Sequence, residues 1–281
     1  MWFVKRKESM LFENICKNVQ SLKKLGAGGQ SDIYLYNDKV LVRTIDPSFQ
    51  LNYKNEISTN LLLTAAVMEN INPHFTITYE IKKCNTHGAI YQLIERFNGD
   101  ISKLKEPFLT KTGFYPQMLM GLVTLLTNDV TLNDVKPENI LYYKLPQVVI
   151  LGYQIDGITY NIETDVIYAY TDYGNAGRYE AKNIKKVADL NSIVKIANNK
   201  RDVAHINTDF FEEFDVNGQI CGFDATSAKS IFNVLAGNRI KILKCVKDKI
   251  KYMAKQNVIG TNEKSDFMYE PDKAIETIQV D

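Results

Sequence analysis

The sequence predicts an α+β protein of two unequal lobes: a small antiparallel β-sheet lobe with one helix, and a larger, mainly α-helical lobe. Three observations predict it. Residues 21–45 read as two or three strands broken by two tight turns, and strand character returns in FTITYEI and AIYQLIERF. A single helical pattern, residues 53–68, interrupts it. Beyond residue 114, helical stripes alternate with short hairpins. The stretch FNGD, near Phe97 to Ser102, reads as the linker, which places the lobes at residues 1–97 and 98–281.

Residues 10–22 read as helical or as a partly ordered lead-in. In LGAGGQSDIY, Gly26, Gly28 and Gly29 form the first turn between strands, and Asn37-Asp38 forms the second, before VLVRTI. In the helix that follows, Ile57, Leu61 and Ala65 recur every four residues. A second helix over 114–127 carries the stripe Leu119, Leu122, Val123 and Leu126. VVILGYQIDGITYNIE reads as a hairpin turning at Asp156-Gly157, and DVIYAYT as a strand ending at DYG. From about Glu180 the pattern is mostly helical, with the last dozen residues frayed. RIKILKCVKDKIKYMAK places Leu243, Val246, Ile250 and Met253 at helical spacing, with lysines elsewhere. It reads as a helix packed on the large lobe with a solvated basic face, in preference to a docking surface for an acidic partner or nucleic acid.

Composition narrows the function classes. The 281 residues are 45% hydrophobic and 24% charged, which provides for a sizeable core. A net charge of +1 carries no polyanion signature, so nucleic acid is not an expected partner. Cys16, Cys84, Cys221 and Cys245 lack the spacing of metal pairs, and a reduced cytoplasmic setting is expected. The opening MWFVKRKESMLF has charges where a signal peptide needs an apolar run, and no stretch is long enough to span a bilayer, so no membrane association is expected. His74 and His87 stand alone in loop-like contexts and read as structural or exposed. Composition selects no oligomeric state.

Three short segments carry chemistry. Glycines between strands let backbone N–H groups face an anion such as a phosphate, although a plain tight turn has the same appearance. In TLNDVKPENILYY, Asp134 can accept a hydroxyl proton, Lys136 can offset developing negative charge, and Asn139 can offer an oxygen to a divalent cation. The same residues also suit a loop that uses Asp, Pro and Asn for its geometry. In YTDYGNAG, Asp172 can ligate a hard cation at the end of a strand. Their order is more specific than any one of them: glycine loop, basic strand residue, helix glutamate, DxKxxN, then DYG.

In that order the chain resembles a eukaryotic-type protein kinase. LLTNDVTLNDVKPENILYY resembles the catalytic loop, with Asp134, Lys136 and Asn139 in register. TDYG resembles the metal-binding DFG motif, with Tyr173 for Phe. GAGGQSDI resembles the Gly-rich loop, with Gly26 and Gly28 matching and Ser31 at the third glycine. Glu56 matches the helix glutamate that pairs with a strand basic residue, and LIERFNGDI resembles the hinge. The resemblance spans about residues 20–195, and its style is similar to kinases of large DNA viruses. It implies a bilobal kinase fold that transfers the ATP γ-phosphate to a Ser/Thr hydroxyl of a protein substrate. It implies catalytic roles for Asp134, Lys136, Asn139 and Asp172, with Mg²⁺ or Mn²⁺ on Asn139 and Asp172. Nucleotide contacts fall to Gly26, Gly28, Gly29, Ser31, Ile33, Arg43, Glu56, Glu95 and Phe97.

The sequence departs from the family pattern in four places. Arg43 stands where the family has Lys; it keeps the charge but is a planar fork rather than a compact ammonium, and Lys24 or Lys39 is the alternative cation. Leu132 and Asn133 replace the His and Arg before the catalytic Asp. No APE motif follows DYG, and KKVADLNSIVKIA, with Asp189, aligns with the helix that anchors the large lobe. The stretch from Asn139 to Asp172 is long, and the hairpin in it reads as surface decoration in preference to a docking element. These departures keep two alternatives open: a pseudokinase acting as a binding module, and a small-molecule phosphotransferase of similar fold.

Overall fold

A computed structural model of the chain describes residues 15–27, 31–45, 50–84, 89–132, 134–178, 219–220, 223–224, 239–261 and 264–275. They form an α+β structure with two larger sheets. Five helices are labelled here: α1 (Ile15–Asn18), α2 (Gln50–Met68), α3 (Glu106–Lys111), α4 (Phe114–Thr127) and α5 (Arg239–Lys255).

The first sheet joins β1 (Lys23–Ala27), β2 (Asp32–Leu35), β3 (Val40–Ile45), β4 (Thr78–Lys83) and β5 (Ile90–Glu95) in the order β1-β2-β3-β5-β4, every pairing antiparallel. Asn37 closes the β2–β3 turn through its side chain, Oδ1 accepting from the backbone N–H groups of Lys39 (2.8 Å) and Val40 (2.9 Å). An Asn in a turn does this because its short amide reaches the backbone two residues on.

The sequence pattern locates the buried face of α2 only in part. Ala65 is buried as read, but Ile57 and Leu61 are only partly buried, whereas Glu56, Thr59, Asn60, Leu63 and Ala66 are buried. Those five also fall three to four residues apart, but three are polar, so apolar periodicity steered the reading to the neighbouring stripe. Helix α4 matches its predicted bounds and is buried on all sides, as a helix inside a core must be when it is apolar around most of its circumference.

The second sheet puts a long hairpin into the lobe expected to be mainly helical; of the stretch from Glu180 expected to be helical, residues 180–218, 221–222 and 225–238 lie outside the described residues. The sheet is built on β8 (Ile140–Ile155) and β9 (Ile158–Tyr170), a hairpin of 16- and 13-residue strands. To this are added β6 (Gly99–Asp100), β13 (Gly260–Thr261) and the parallel β14 (Phe267–Tyr269). Shorter pairs join β7 (Val130–Thr131) to β10 (Gly177–Arg178), and β11 (Gln219–Ile220) to β12 (Phe223–Asp224). The expected linker is itself in this sheet, since Gly99 and Asp100 pair with Tyr142 and Leu141. Sequence reading began the hairpin at Val148 and made DVIYAYT a separate strand, whereas β8 starts at Ile140 and β9 runs on to Tyr170. The ladder shifts register between Lys144 and Val149, and this bulge accommodates Pro146, which cannot donate to a ladder. The turn stands where predicted, Asp156 and Gly157 both having positive φ (51° and 77°), as a type I′ hairpin requires.

The hairpin is core, not decoration. Tyr153, Tyr160, Ile162, Tyr168 and Tyr170 are buried in the main hydrophobic cluster with α4. Its tip is tied to α5: Lys247 Nζ lies 2.7 Å from Asp156 and 2.9 Å from Asp272, and Lys251 lies 3.3 Å from Asp156. The hydrogen bond from Lys247 holds the Asp156 carboxyl below its usual range. Two lysines of the α5 face expected to be solvated, Lys247 and Lys251, therefore hold the hairpin, while Lys244 and Lys255 are exposed; of the predicted stripe, Val246, Ile250 and Met253 are buried and Leu243 is partly buried. His74 is fully buried, with Nδ1 2.8 Å from the Tyr168 carbonyl and Nε2 2.7 Å from Tyr153 Oη. A carbonyl only accepts, so Nδ1 carries the proton and Nε2 accepts from the tyrosine. The segment expected to fray is partly fixed: Ile275 is buried and its N–H donates to Asn128 Oδ1 at 2.7 Å.

Gly121 shows how closely α4 meets the hairpin. A Cβ there would stand 2.6 Å from Tyr170 Cε2. That ring is buried and its hydroxyl donates to the Met118 carbonyl at 2.9 Å, so it cannot swing aside. Overpacking costs about 1–3 kcal/mol, and alanine's helix propensity returns up to about 1 kcal/mol. Gly121→Ala is expected to destabilise by about 1–2 kcal/mol net, read as a lower urea midpoint at unchanged slope.

The cysteines also depart from expectation. Cys16 and Cys84 are joined in a disulfide with Cα atoms 5.7 Å apart, and Cys245 is disulfide-bonded as well. The separation of 68 residues leaves no local signal of the pairing, which the tertiary fold creates. No helix of the described residues is long and apolar enough to cross a membrane.

Candidate functional site

The hairpin brings the two ends of the site together. Strand β8 begins immediately after Asn139 and β9 ends two residues before Asp172. Ile140 pairs with Tyr170, and the Thr171 N–H donates to the Asn139 carbonyl at 3.0 Å. The long excursion between Asn139 and Asp172 is therefore what sets them side by side.

On the Asn139 side, a 3₁₀ turn over Pro137–Asn139 presents a compact polar cluster. Asn139 is buried, and its Nδ2 donates to the Asp134 carbonyl (2.9 Å) and to Asp134 Oδ2 (3.1 Å). Lys136 Nζ reaches the same Oδ2 at 2.7 Å. That hydrogen bond raises the Lys136 ammonium above its ordinary range; the charges of Asp134, Asp172 and Glu138 add to this, and partial burial opposes it. The ammonium therefore stays charged at neutral pH. The pair is half-exposed, so it contributes little to stability. Its effect is local: a carboxylate and a cation are held at one point.

On the Asp172 side the chain turns sharply. Asp172 adopts φ 59° and ψ 75°, a left-handed conformation that Asp tolerates better than most residues. Tyr173 anchors the turn. It is buried, its hydroxyl donates to the Tyr170 carbonyl (2.7 Å), and it accepts from the Thr76 N–H (3.2 Å). Sequence reading counted Tyr173 as a stand-in for Phe and missed these bonds; the hydroxyl itself was the available signal.

Arg43 gathers the remaining parts. Its Nη1 is ion-paired with Glu56 Oε1, Nη2 lies 3.5 Å from Asp172 Oδ1, and Nε donates to Ser31 Oγ at 3.3 Å. A guanidinium presents several donors in a fixed fork, which lets one side chain bridge the residue that precedes β2, helix α2 and the DYG turn. Glu56 Oε2 and Asp172 Oδ1 would each stand 3.6 Å from a Cβ on Gly174, so the two carboxylates flank that glycine. Glu56 is placed by α2, whose Asn60 ties the helix to the sheet. Asn60 Nδ2 donates to the Glu56 carbonyl (2.8 Å), while Oδ1 accepts from Thr78 Oγ1 (3.0 Å) and Gln92 Nε2 (2.9 Å). Asn60, Thr78 and Gln92 were absent from the sequence reading. The signal for Asn60 was its position four residues after Glu56, on one helix face.

Two clusters result: Ser31, Arg43, Glu56 and Asp172, and Asp134, Lys136 and Asn139, joined through the Thr171–Asn139 bond. The other predicted residues line the sheet. Gly26 pairs with Ile33, and Ile33 with Arg43. The Glu95 N–H donates to the Ile77 carbonyl at 2.9 Å, and its buried side chain accepts from the Ile77 N–H at 3.3 Å. Phe97 packs edge-on to Tyr143 at 6.3 Å. Lys24, the alternative cation, pairs with Asp32 at 2.8 Å and is half-exposed. Gly28, Gly29, Lys185–Ala197 with Asp189, His87 and Cys221 lie outside the described residues.

Among the described residues, no three His, Cys, Asp or Glu side chains cluster as a metal cage. Two oxygens remain that could ligate a hard cation: the amide nitrogen of Asn139 is spent on Asp134, which leaves its oxygen unspent by those bonds, and the Asp172 carboxylate is half-exposed. No protein-family profile matches the chain, and no curated protein matches it either.

Proposed function

We propose that the chain is a phosphotransferase on a bilobal fold of protein-kinase type, moving the γ-phosphate of ATP to a Ser or Thr hydroxyl of a protein. The observation that carries this reading is the juxtaposition of the Arg43–Glu56–Asp172 cluster with Asp134, Lys136 and Asn139 across the hairpin ends. In this reading Asp134 orients the acceptor hydroxyl and takes its proton, while Lys136 stabilises charge on the moving phosphate. Asn139 and Asp172 would hold Mg²⁺ or Mn²⁺, which supplies charge neutralisation at the phosphates when bound. Arg43 and Glu56 form the strand–helix ion pair, and Ser31, which Arg43 holds, would face the phosphates.

One observation favours a second reading, a pseudokinase that binds a partner without turnover. Arg43 holds Asp172, the residue that a cation needs. A metal-dependence experiment separates the two. At a nucleotide concentration near 100 times Kd, binding adds about 2.7 kcal/mol, a rise of about 5–10 °C in Tm. The kinase reading expects that rise with ATP only when Mg²⁺ or Mn²⁺ is present, and expects Asp172→Ala to remove it. A rise that ignores metal and survives Asp172→Ala contradicts the proposed metal role.

A further inference from the structure

The Cys16–Cys84 disulfide lies away from the candidate site, on the other face of the first sheet. Along β3, successive side chains point to opposite faces. Arg43 faces Glu56 on α2, whereas Val40 and Val42 are completely buried in a separate cluster with Ile15, Val19, Cys84 and Leu93. The lead-in segment, α1 and the turn Val19–Ser21, therefore forms the cover of that outer face. Among the described residues the face is covered by buried Ile15 and Val19, with Cys16 and Leu22 partly buried against the same cluster. Fixing the backbone of one residue costs roughly what burying one aliphatic side chain returns, so ordering residues 15–22 for these few side chains yields little net stabilisation. The covalent tie to Cys84, beside the end of β4, adds to it by removing loop-closure entropy over a separation of 68 residues.

We propose that Cys16–Cys84 is a redox-operated strap: intact, it seats the lead-in segment on the sheet, and a dithiol reductant releases it. The opening step balances as thiol–disulfide exchange. A thiolate of the dithiol attacks Cys16 Sγ, since Cys16 is the less buried of the two. A bond forms between that sulfur and the reductant, the Cys16–Cys84 bond breaks, and Cys84 leaves as a thiolate that takes a proton. The second thiol of the reductant then displaces Cys16, which is protonated in turn. The reductant ends as a disulfide, having given two electrons to the cysteine pair. Release uncovers Val40, Val42 and Leu93.

The test is limited trypsin digestion of the full chain, oxidised with glutathione disulfide or treated with dithiothreitol and then alkylated. Lys17, Lys23 and Lys24 are exposed cleavage points in or beside the strap. Reduction is expected to speed cleavage at Lys17 at least about tenfold, as open-state populations shift by that factor per 1.4 kcal/mol. Peptide mass analysis is expected to find Cys16 and Cys84 linked before reduction and alkylated after it. Because Cys245 is also disulfide-bonded, Cys16→Ser isolates the effect: its cleavage at Lys17 is expected to be fast and indifferent to dithiothreitol. The proposal is overturned if cleavage at Lys17 is equally slow in both redox states. It is also overturned if Cys16→Ser still responds to the reductant, or if both cysteines remain alkylatable after glutathione disulfide.

Discussion

Asp134→Ala is expected to lower phosphate transfer by about 10²–10⁴-fold, the range that a positioned general base contributes. The structure explains why the loss should be confined to the chemical step. Asp134 Oδ2 receives both Lys136 Nζ and Asn139 Nδ2, but Asn139 keeps its second bond, to the Asp134 backbone carbonyl. The 3₁₀ turn and the hairpin that set Asn139 beside Asp172 do not depend on the carboxylate. Nucleotide binding, measured by metal-dependent thermal shift, should therefore change little while turnover falls. If binding and turnover fall together, Asp134 is a structural residue of the loop.

Glu56→Ala is expected to cost about 3 kcal/mol of folding stability, the lower end of the range for breaking a buried ion pair. The Arg43 side chain is 16% exposed and that of Glu56 9%, so solvent replaces the lost partner poorly. Asp172, 3.5 Å from the guanidinium, moderates the cost and gains the full attention of the cation. The substitution should thus lower Tm and also weaken Mg²⁺ or Mn²⁺ binding, since Asp172 becomes more firmly held by Arg43. Urea denaturation and metal titration by Mn²⁺ electron paramagnetic resonance read the two effects separately. Unchanged stability would show that the Arg43–Glu56 pair is not held in the folded protein.

How much of this was legible in the sequence depends on which contacts are local. The Asp156-Gly157 turn, α4 and α5 were readable because turn chemistry and helical period act within a few residues. Asp134, Lys136 and Asn139 were readable as a set for the same reason: they share one loop, and their hydrogen bonds span only a few residues. The buried face of α2 was read only in part, Ala65 being buried, because Glu56, Thr59 and Asn60 are buried by virtue of partners on other elements, such as Thr78 and Gln92. The reach of β8 was missed because Ile140–Lys144 are paired only by the far end of β9, and a register shift separates that part of the ladder from the part near the turn. The disulfide and the three-way grip of Arg43 were beyond local rules altogether, since each joins segments that only the folded chain brings together.

The most direct measurement is transfer from γ-labelled ATP with Mg²⁺ or Mn²⁺, comparing the wild-type chain with Asp134→Ala. The acceptors are generic protein substrates and the chain itself. The account predicts metal-dependent label on Ser or Thr with the wild type and none with Asp134→Ala. No transfer by the wild type at high enzyme concentration, with either metal, would contradict it and leave the site as a binding module.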